Sequence, residues 1–172
     1  SINGGGIWNL GDLTLTNTTV SGNVASINGG GIYSGGSVSE LTVTNSTIVA
    51  NRGVLAGGGL WNIGAAELTN TIVANSLFSK NCALASTPRL ASLGHNLDSD
   101  GTCNLTHPMD LPGVDPLIGP LQDNGGPTLT HALLPGSPAI DAGETRAWPR
   151  TDQRGLRRPQ DAASDIGAYE FG

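Results

Sequence analysis

Apolar and polar residues alternate in short bursts along the first eighty residues, and the bursts recur. Leu13-Thr-Leu-Thr-Asn17 and Leu41-Thr-Val-Thr-Asn45 put an aliphatic side chain at every second position with a threonine between. That period is a strand's, with one apolar face and one hydroxylated face. A shorter version, Leu68-Thr-Asn70, follows. After each comes a second burst: Thr19-Val20-Ser21-Gly22-Asn23, Thr47-Ile48-Val49-Ala50-Asn51 and Thr71-Ile72-Val73-Ala74-Asn75, the last starting one residue sooner. Before each stands a glycine triplet with an aliphatic and an aromatic residue: Gly4-Gly5-Gly6-Ile7-Trp8-Asn9, Gly29-Gly30-Gly31-Ile32-Tyr33-Ser34 and Gly57-Gly58-Gly59-Leu60-Trp61-Asn62. The triplets begin 25 and then 28 residues apart.

A unit of this length holds three short strands and cannot bury its own apolar side. Stacked units can, as parallel sheets with neighbouring strands about 4.8 Å apart. The repeats therefore predict an all-β chain, a right-handed parallel β-helix (a solenoid). Leu13 is expected to stack on Leu41, and Val20, Ile48 and Ile72 to form another interior column. Asn17, Asn45 and Asn70, and again Asn23, Asn51 and Asn75, end strands, where asparagine tolerates left-handed backbone and its amide reaches the next coil. The triple glycines suit a tight corner and close backbone approach. The LxxLxLxxN spacing of leucine-rich repeats is absent.

The pattern degenerates after Ala83, where prolines rise. Strand candidates persist at 92–97, 127–133, 138–142 and 165–171. Residues 1–82 read as regular coils and 83–172 as irregular coils of the same domain, which continue the solenoid and act as its cap.

Composition narrows the function. The 26 glycines, with 13% charged and 4% aromatic residues, oppose helix. A net charge of −6 argues against nucleic acid. Arg146, Arg150, Arg154, Arg157 and Arg158 cluster, but Asp152, Asp161 and Asp165 are interleaved and neutralise them. No apolar run is long enough for a transmembrane segment. The chain begins at Ser1, without Met or a signal peptide and just inside a repeat, which reads as a processed product or a fragment. Cys82 and Cys103, the only cysteines, suit one disulfide and an extracellular or cell-surface location. No four-ligand metal site is expected, and no cofactor.

The triplet repeats resemble those of bacterial polymorphic outer-membrane proteins and other surface β-helix families. The stretch Gly119-Pro-Leu-Gln-Asp-Asn-Gly-Gly-Pro-Thr-Leu-Thr-His-Ala-Leu-Leu-Pro-Gly-Ser-Pro-Ala-Ile-Asp-Ala-Gly143 resembles the C-terminal region of bacterial choice-of-anchor Q surface proteins. So do Thr151-Asp-Gln-Arg-Gly-Leu-Arg-Arg-Pro-Gln160 and Asp165-Ile-Gly-Ala-Tyr-Glu170. The resemblance implies export, a right-handed β-helix and attachment at the cell envelope. It implies no catalytic residues.

Several groups are candidate chemistry. Trp8, Tyr33 and Trp61 share one repeat position and predict an outward aromatic ladder, whose candidate ligand is a glycan or a protein. Asp12, Glu40 and Glu67 precede or enter Leu-Thr strands and are expected to stack as an acidic edge; paired carboxylates would otherwise suggest a polysaccharide hydrolase or lyase. Asn96-Leu-Asp98-Ser-Asp100-Gly101 partly matches a calcium loop, but His107 stands where the bidentate Glu belongs, so an Asx-rich turn is the stronger reading. Ser137, Asp141 and His131 lack the setting of a triad. The sequons at Asn17, Asn45 and Asn104 read as strand and turn residues. The expectation is a non-enzymatic structural or adhesive surface protein. Its partner is either itself, end to end into filaments through a bare first coil, or a cell-envelope component. The alternative is a β-helix that binds or degrades polysaccharide.

Overall fold

Three parallel sheets, of four, four and five strands, wrap the first part of the chain into a β-solenoid. The computed structural model describes residues 1–84, 90–146 and 149–172, and among them there is no helix. The first sheet joins Ile7–Asn9, Ile32–Ser34, Leu60–Asn62 and Cys82–Leu84. The second joins Asp12–Thr16, Glu40–Thr44, Ala65–Thr69 and Leu90–Ser92. The third joins Thr19–Ser21, Thr47–Val49, Ile72–Ala74, Leu97–Asp98 and Leu111–Pro112.

Period-two patterning sets the register. Leu13 pairs with Leu41 and Leu15 with Val43, and the columns continue through Ala66 and Leu68. Leu41, Val43, Ile48, Leu60 and Leu68 are at most 1% exposed, and each such side chain contributes roughly 1.5–3 kcal/mol on burial. The glycine triplets behave as their spacing predicts. Gly4, Gly29 and Gly57 have φ near +60°. A Cβ on Gly30 would collide with the Arg52 backbone.

One expected column is corrected. Thr71–Asn75 does not superpose on Thr47–Asn51, although the two segments are identical at all five positions. Ile72 pairs with Thr47, Val73 with Ile48 and Ala74 with Val49. The interior column is Val20, Ile48 and Val73, and Ile72 points outward. The cause lies one corner upstream. Asn17, Asn45 and Asn70 are aligned, all with φ of 48–49°, and the Asn70 amide donates to Asn45 Oδ1 at 3.0 Å. Alignment at that corner fixes everything after it, and a one-residue slip turns every side chain over. The next left-handed corner accordingly falls on Gly22, Ala50 and Asn75, not on Asn23 and Asn51.

The C-terminal region departs further from expectation. Cys82–Leu84, Leu90–Ser92 and Leu97–Asp98 do supply the strands of a fourth coil, and Leu111–Pro112 one strand of a fifth. Cys103 is joined to Cys82, and Cys103 and Leu105 enter the interior cluster, closing over the last coil. The rest is not a continued stack or an end cap. Ile118–Gln122 and Thr130–Leu133 form an antiparallel pair. A second apolar cluster joins Leu133, Ala139 and Ile166 to Val49, Ile72, Ala74 and Leu97, the outward residues of the third sheet. The C-terminal segment is thus a layer laid along the solenoid's flank. This explains why the outward Ile72 is fully buried.

A strap ties this layer to the asparagine corner. His95 Nδ1 donates to the Ala142 carbonyl (2.8 Å). Asn70 accepts from Glu144 N (2.7 Å) and donates to its carbonyl (3.1 Å). Asn45 reaches the Pro149 carbonyl at 3.5 Å and Asn17 the Thr151 carbonyl at 2.7 Å. The chain thus travels back from the fourth coil to the first. Beneath it Arg158 is buried against Glu170 (2.6 Å) and also donates to the Asp165 and Gly167 carbonyls.

Candidate functional site: the aromatic face

The first sheet presents Trp8, Tyr33 and Trp61 side by side on its outer face. Trp8 pairs with Tyr33, and Tyr33 with Trp61. Ile32 and Leu60, one residue earlier, are fully buried, as alternation requires. Trp8 is 65% exposed. The Tyr33 and Trp61 rings lie within 3° of parallel, with centroids 6.5 Å apart. The Tyr33 ring lies over Gly35, where a Cβ would overlap Cε1 and Cζ. Sequence reasoning found the three aromatics but missed Gly35. The available signal was its position: two residues after Tyr33, on the same face, with no side chain.

The acidic residues do not form the expected column. Asp12 pairs with Glu40, but the third member is Ala65, and Glu67 pairs with Thr42. Glu40 and Glu67 share the outer face of the second sheet around a shallow hollow with Thr42 and Ala65. Both are solvent-exposed.

The other candidates are engaged in structure. Asp98 is buried and accepts from Cys103 N (2.7 Å) and the Asn81 amide (2.9 Å). Burial pushes its carboxyl up, against those bonds. Burial also opposes the charge on Asp100, but the Thr102 hydroxyl and Asn81 N–H hold its carboxyl below the usual range. These oxygens fasten the turn that carries Cys103. The imagined grouping of Ser137, Asp141 and His131 is not assembled. Ser137 donates to the Pro116 carbonyl, and Asp141 accepts from Ala163 N. His131 Nδ1 donates to the Gly119 carbonyl, so its Nε2 accepts from Ser21 Oγ (both 2.8 Å). Asn17 and Asn45, the first two sequons, have their amides turned to the strap. A cleft of about 490 Å³ opens beside the disulfide, and among the described residues lining it Lys80 carries the charge. Of the clustered arginines, Arg154 and Arg158 are drawn into the layer, Arg154 pairing with Asp152 at 2.7 Å.

Among the described residues no helix is long and apolar enough to cross a membrane, and no cluster of three metal-ligating side chains occurs. No protein-family model, curated protein or solved structure matches the chain.

Proposed function

We propose that this chain is a non-enzymatic structural and adhesive module working outside the cell or at its surface. The supporting observation is the contrast between its faces. The third sheet's flank is sealed by the C-terminal layer, whereas the first sheet's outer face leaves Trp8 exposed and Tyr33 and Trp61 half-buried. Large exposed aromatics on a rigid scaffold are a contact surface. The Cys82–Cys103 disulfide suits an oxidising compartment. Among the described residues no ion pair involves Asp12, Glu40 or Glu67, so the geometry offers little for acid–base chemistry. The test uses beads carrying the purified chain. They should adhere to cell-envelope or extracellular polysaccharide and protein preparations without releasing soluble products. Product release abolished by Asp12→Asn, Glu40→Gln or Glu67→Gln would replace this reading with the polysaccharide-degrading one.

A further inference from the structure

We propose that Asn104 is an N-glycosylation site, taking its oligosaccharide from a lipid-pyrophosphate carrier. This rests on the extracellular location proposed above, because the modification belongs to exported chains. The signal is Asn-X-Ser/Thr, in which a transferase must reach the asparagine amide and the hydroxyl together. The chain carries it at Asn17-Thr18-Thr19, Asn45-Ser46-Thr47 and Asn104-Leu105-Thr106. The fold closes the first two at both ends. Asn17 Nδ2 donates to the Thr151 carbonyl and Thr19 Oγ1 to Gln153 Oε1, each at 2.7 Å. Asn45 and Thr47 are buried. Asn45 Oδ1 accepts from the Asn70 amide, and Thr47 Oγ1 accepts from Ala168 N at 2.9 Å. A sugar at either asparagine would have to displace the C-terminal layer.

The third is open at both ends. Burial alternates through it: Cys103 and Leu105 enter the interior cluster, while Asn104 and Thr106 are exposed. The amide and the hydroxyl therefore share the outer side, and buried Leu105 holds them there. The disulfide to Cys82 fixes the residue next door. Asn104 lies outside the strands and carries none of the strap's hydrogen bonds. Its φ of +54° gives asparagine a backbone reason to stand there, but glycine would satisfy that equally, and the backbone asks nothing of Thr106. In the reaction the Asn104 Nδ2 attacks the anomeric carbon of the carrier-linked sugar. A C–N bond forms, and the bond from that carbon to the pyrophosphate oxygen breaks. The lipid pyrophosphate leaves with the electron pair, and the amide proton passes to a carboxylate of the transferase.

The experiment treats the folded chain, disulfide intact, with a single-subunit oligosaccharyltransferase and a synthetic lipid-pyrophosphate oligosaccharide. Synthetic peptides spanning each of the three sequons are treated in parallel, and mass spectrometry locates the sugar. All three peptides should be modified. The folded chain should gain one glycan, on Asn104. Asn104→Gly keeps the left-handed backbone and removes the acceptor amide; Thr106→Val keeps the amide and removes the hydroxyl. Each should cut transfer to the folded chain at least about tenfold, and thermal unfolding verifies that both variants fold. A modified Asn104 peptide beside an unmodified folded chain overturns the proposal. So does transfer to Asn17 or Asn45 of the folded chain as readily as to Asn104, or transfer undiminished in Thr106→Val. The location is tested apart, by secreting the chain behind a signal peptide from a eukaryotic host. A secreted, disulfide-bonded chain without sugar on Asn104 overturns the proposal and leaves the extracellular reading standing. A chain that takes the sugar in the purified reaction but cannot be secreted with its disulfide formed overturns the extracellular reading and leaves the acceptor geometry standing.

Discussion

The repeat stack and the C-terminal layer are held together by different physics. In the stack each side chain meets its own kind one coil away: Leu13 on Leu41, Val20 on Ile48, Tyr33 on Trp61. Such contacts are interchangeable from coil to coil and say little about where the stack should stop. In the layer nearly every contact is unique. Arg158 has one carboxylate partner, Glu170, and Gln153 accepts from Thr19 across 134 residues. Repetition gives extension, and the irregular layer gives address. Ile72 belongs to both. It sits in a repeat but turns outward, and only the layer buries it.

The comparison breaks first at Arg158. Its guanidinium is about 2% exposed and its partner Glu170 about 1%. Arg158→Met leaves Glu170 and Asp165 buried without their cation, and should cost about 3–5 kcal/mol. Guanidinium denaturation should show the layer's signal lost before the stack's. Coincident transitions at wild-type stability would mean that the layer does not depend on this pair.

The strap comes next. Asn70→Ala strands the Glu144 N–H and its carbonyl and removes the bond to Asn45, at a cost of roughly 1–3 kcal/mol. Amide exchange should accelerate along residues 142–146. Exchange that accelerates only within the repeats would show that the strap is held by other means.

Ala50 sharpens the stack's side of the comparison. It has φ of +55° in a column whose neighbours are Gly22 and Asn75. An alanine there carries about 1 kcal/mol of backbone strain. Ala50→Asn should raise the thermal midpoint by the equivalent of up to about 1 kcal/mol. A lowered midpoint would contradict the left-handed assignment.

The smallest effect is pH dependence. Burial pushes the Asp165 and Glu170 carboxyls up, against the pull of backbone N–H groups and Arg158. The folded layer therefore binds protons that the unfolded chain releases. Its contribution from these groups is complete below the ordinary values of 3.8 and 4.5 and is lost as pH rises through the folded ones. Asp165→Asn should flatten the fall of stability on the alkaline side of that window, as followed by denaturation at several pH values. A steeper fall would reverse the sign of the shift.

The legible part of the fold was what repeats. Alternation of Leu13, Leu15, Leu41 and Val43 was enough for the sheets, and their pairing followed. Identity misled at 71–75, where matching letters concealed a register set by Asn70. The layer could not be read because a hydrogen bond such as Thr19 to Gln153 leaves no periodic trace, and because Arg158 and Glu170 look like ordinary surface charges. Of the candidate site, the aromatic column was legible from spacing. The lean of the Tyr33 ring over Gly35 was not, since it depends on the absence of a side chain there.

The central claim is that the C-terminal layer runs back along the flank to the first coil. Cross-linking a Thr19→Cys, Gln153→Cys variant with a short bismaleimide tests it directly, with the native disulfide intact. The two side chains are hydrogen-bonded at 2.7 Å, so an intramolecular cross-link should form rapidly and in high yield, seen as a peptide pair in mass spectrometry. Were residues 113–172 stacked beyond the fourth coil, position 153 would lie on the order of 20 Å from Thr19, at about 4.8 Å per coil. Absence of that peptide pair, with both cysteines reactive to a monofunctional maleimide, would contradict the account.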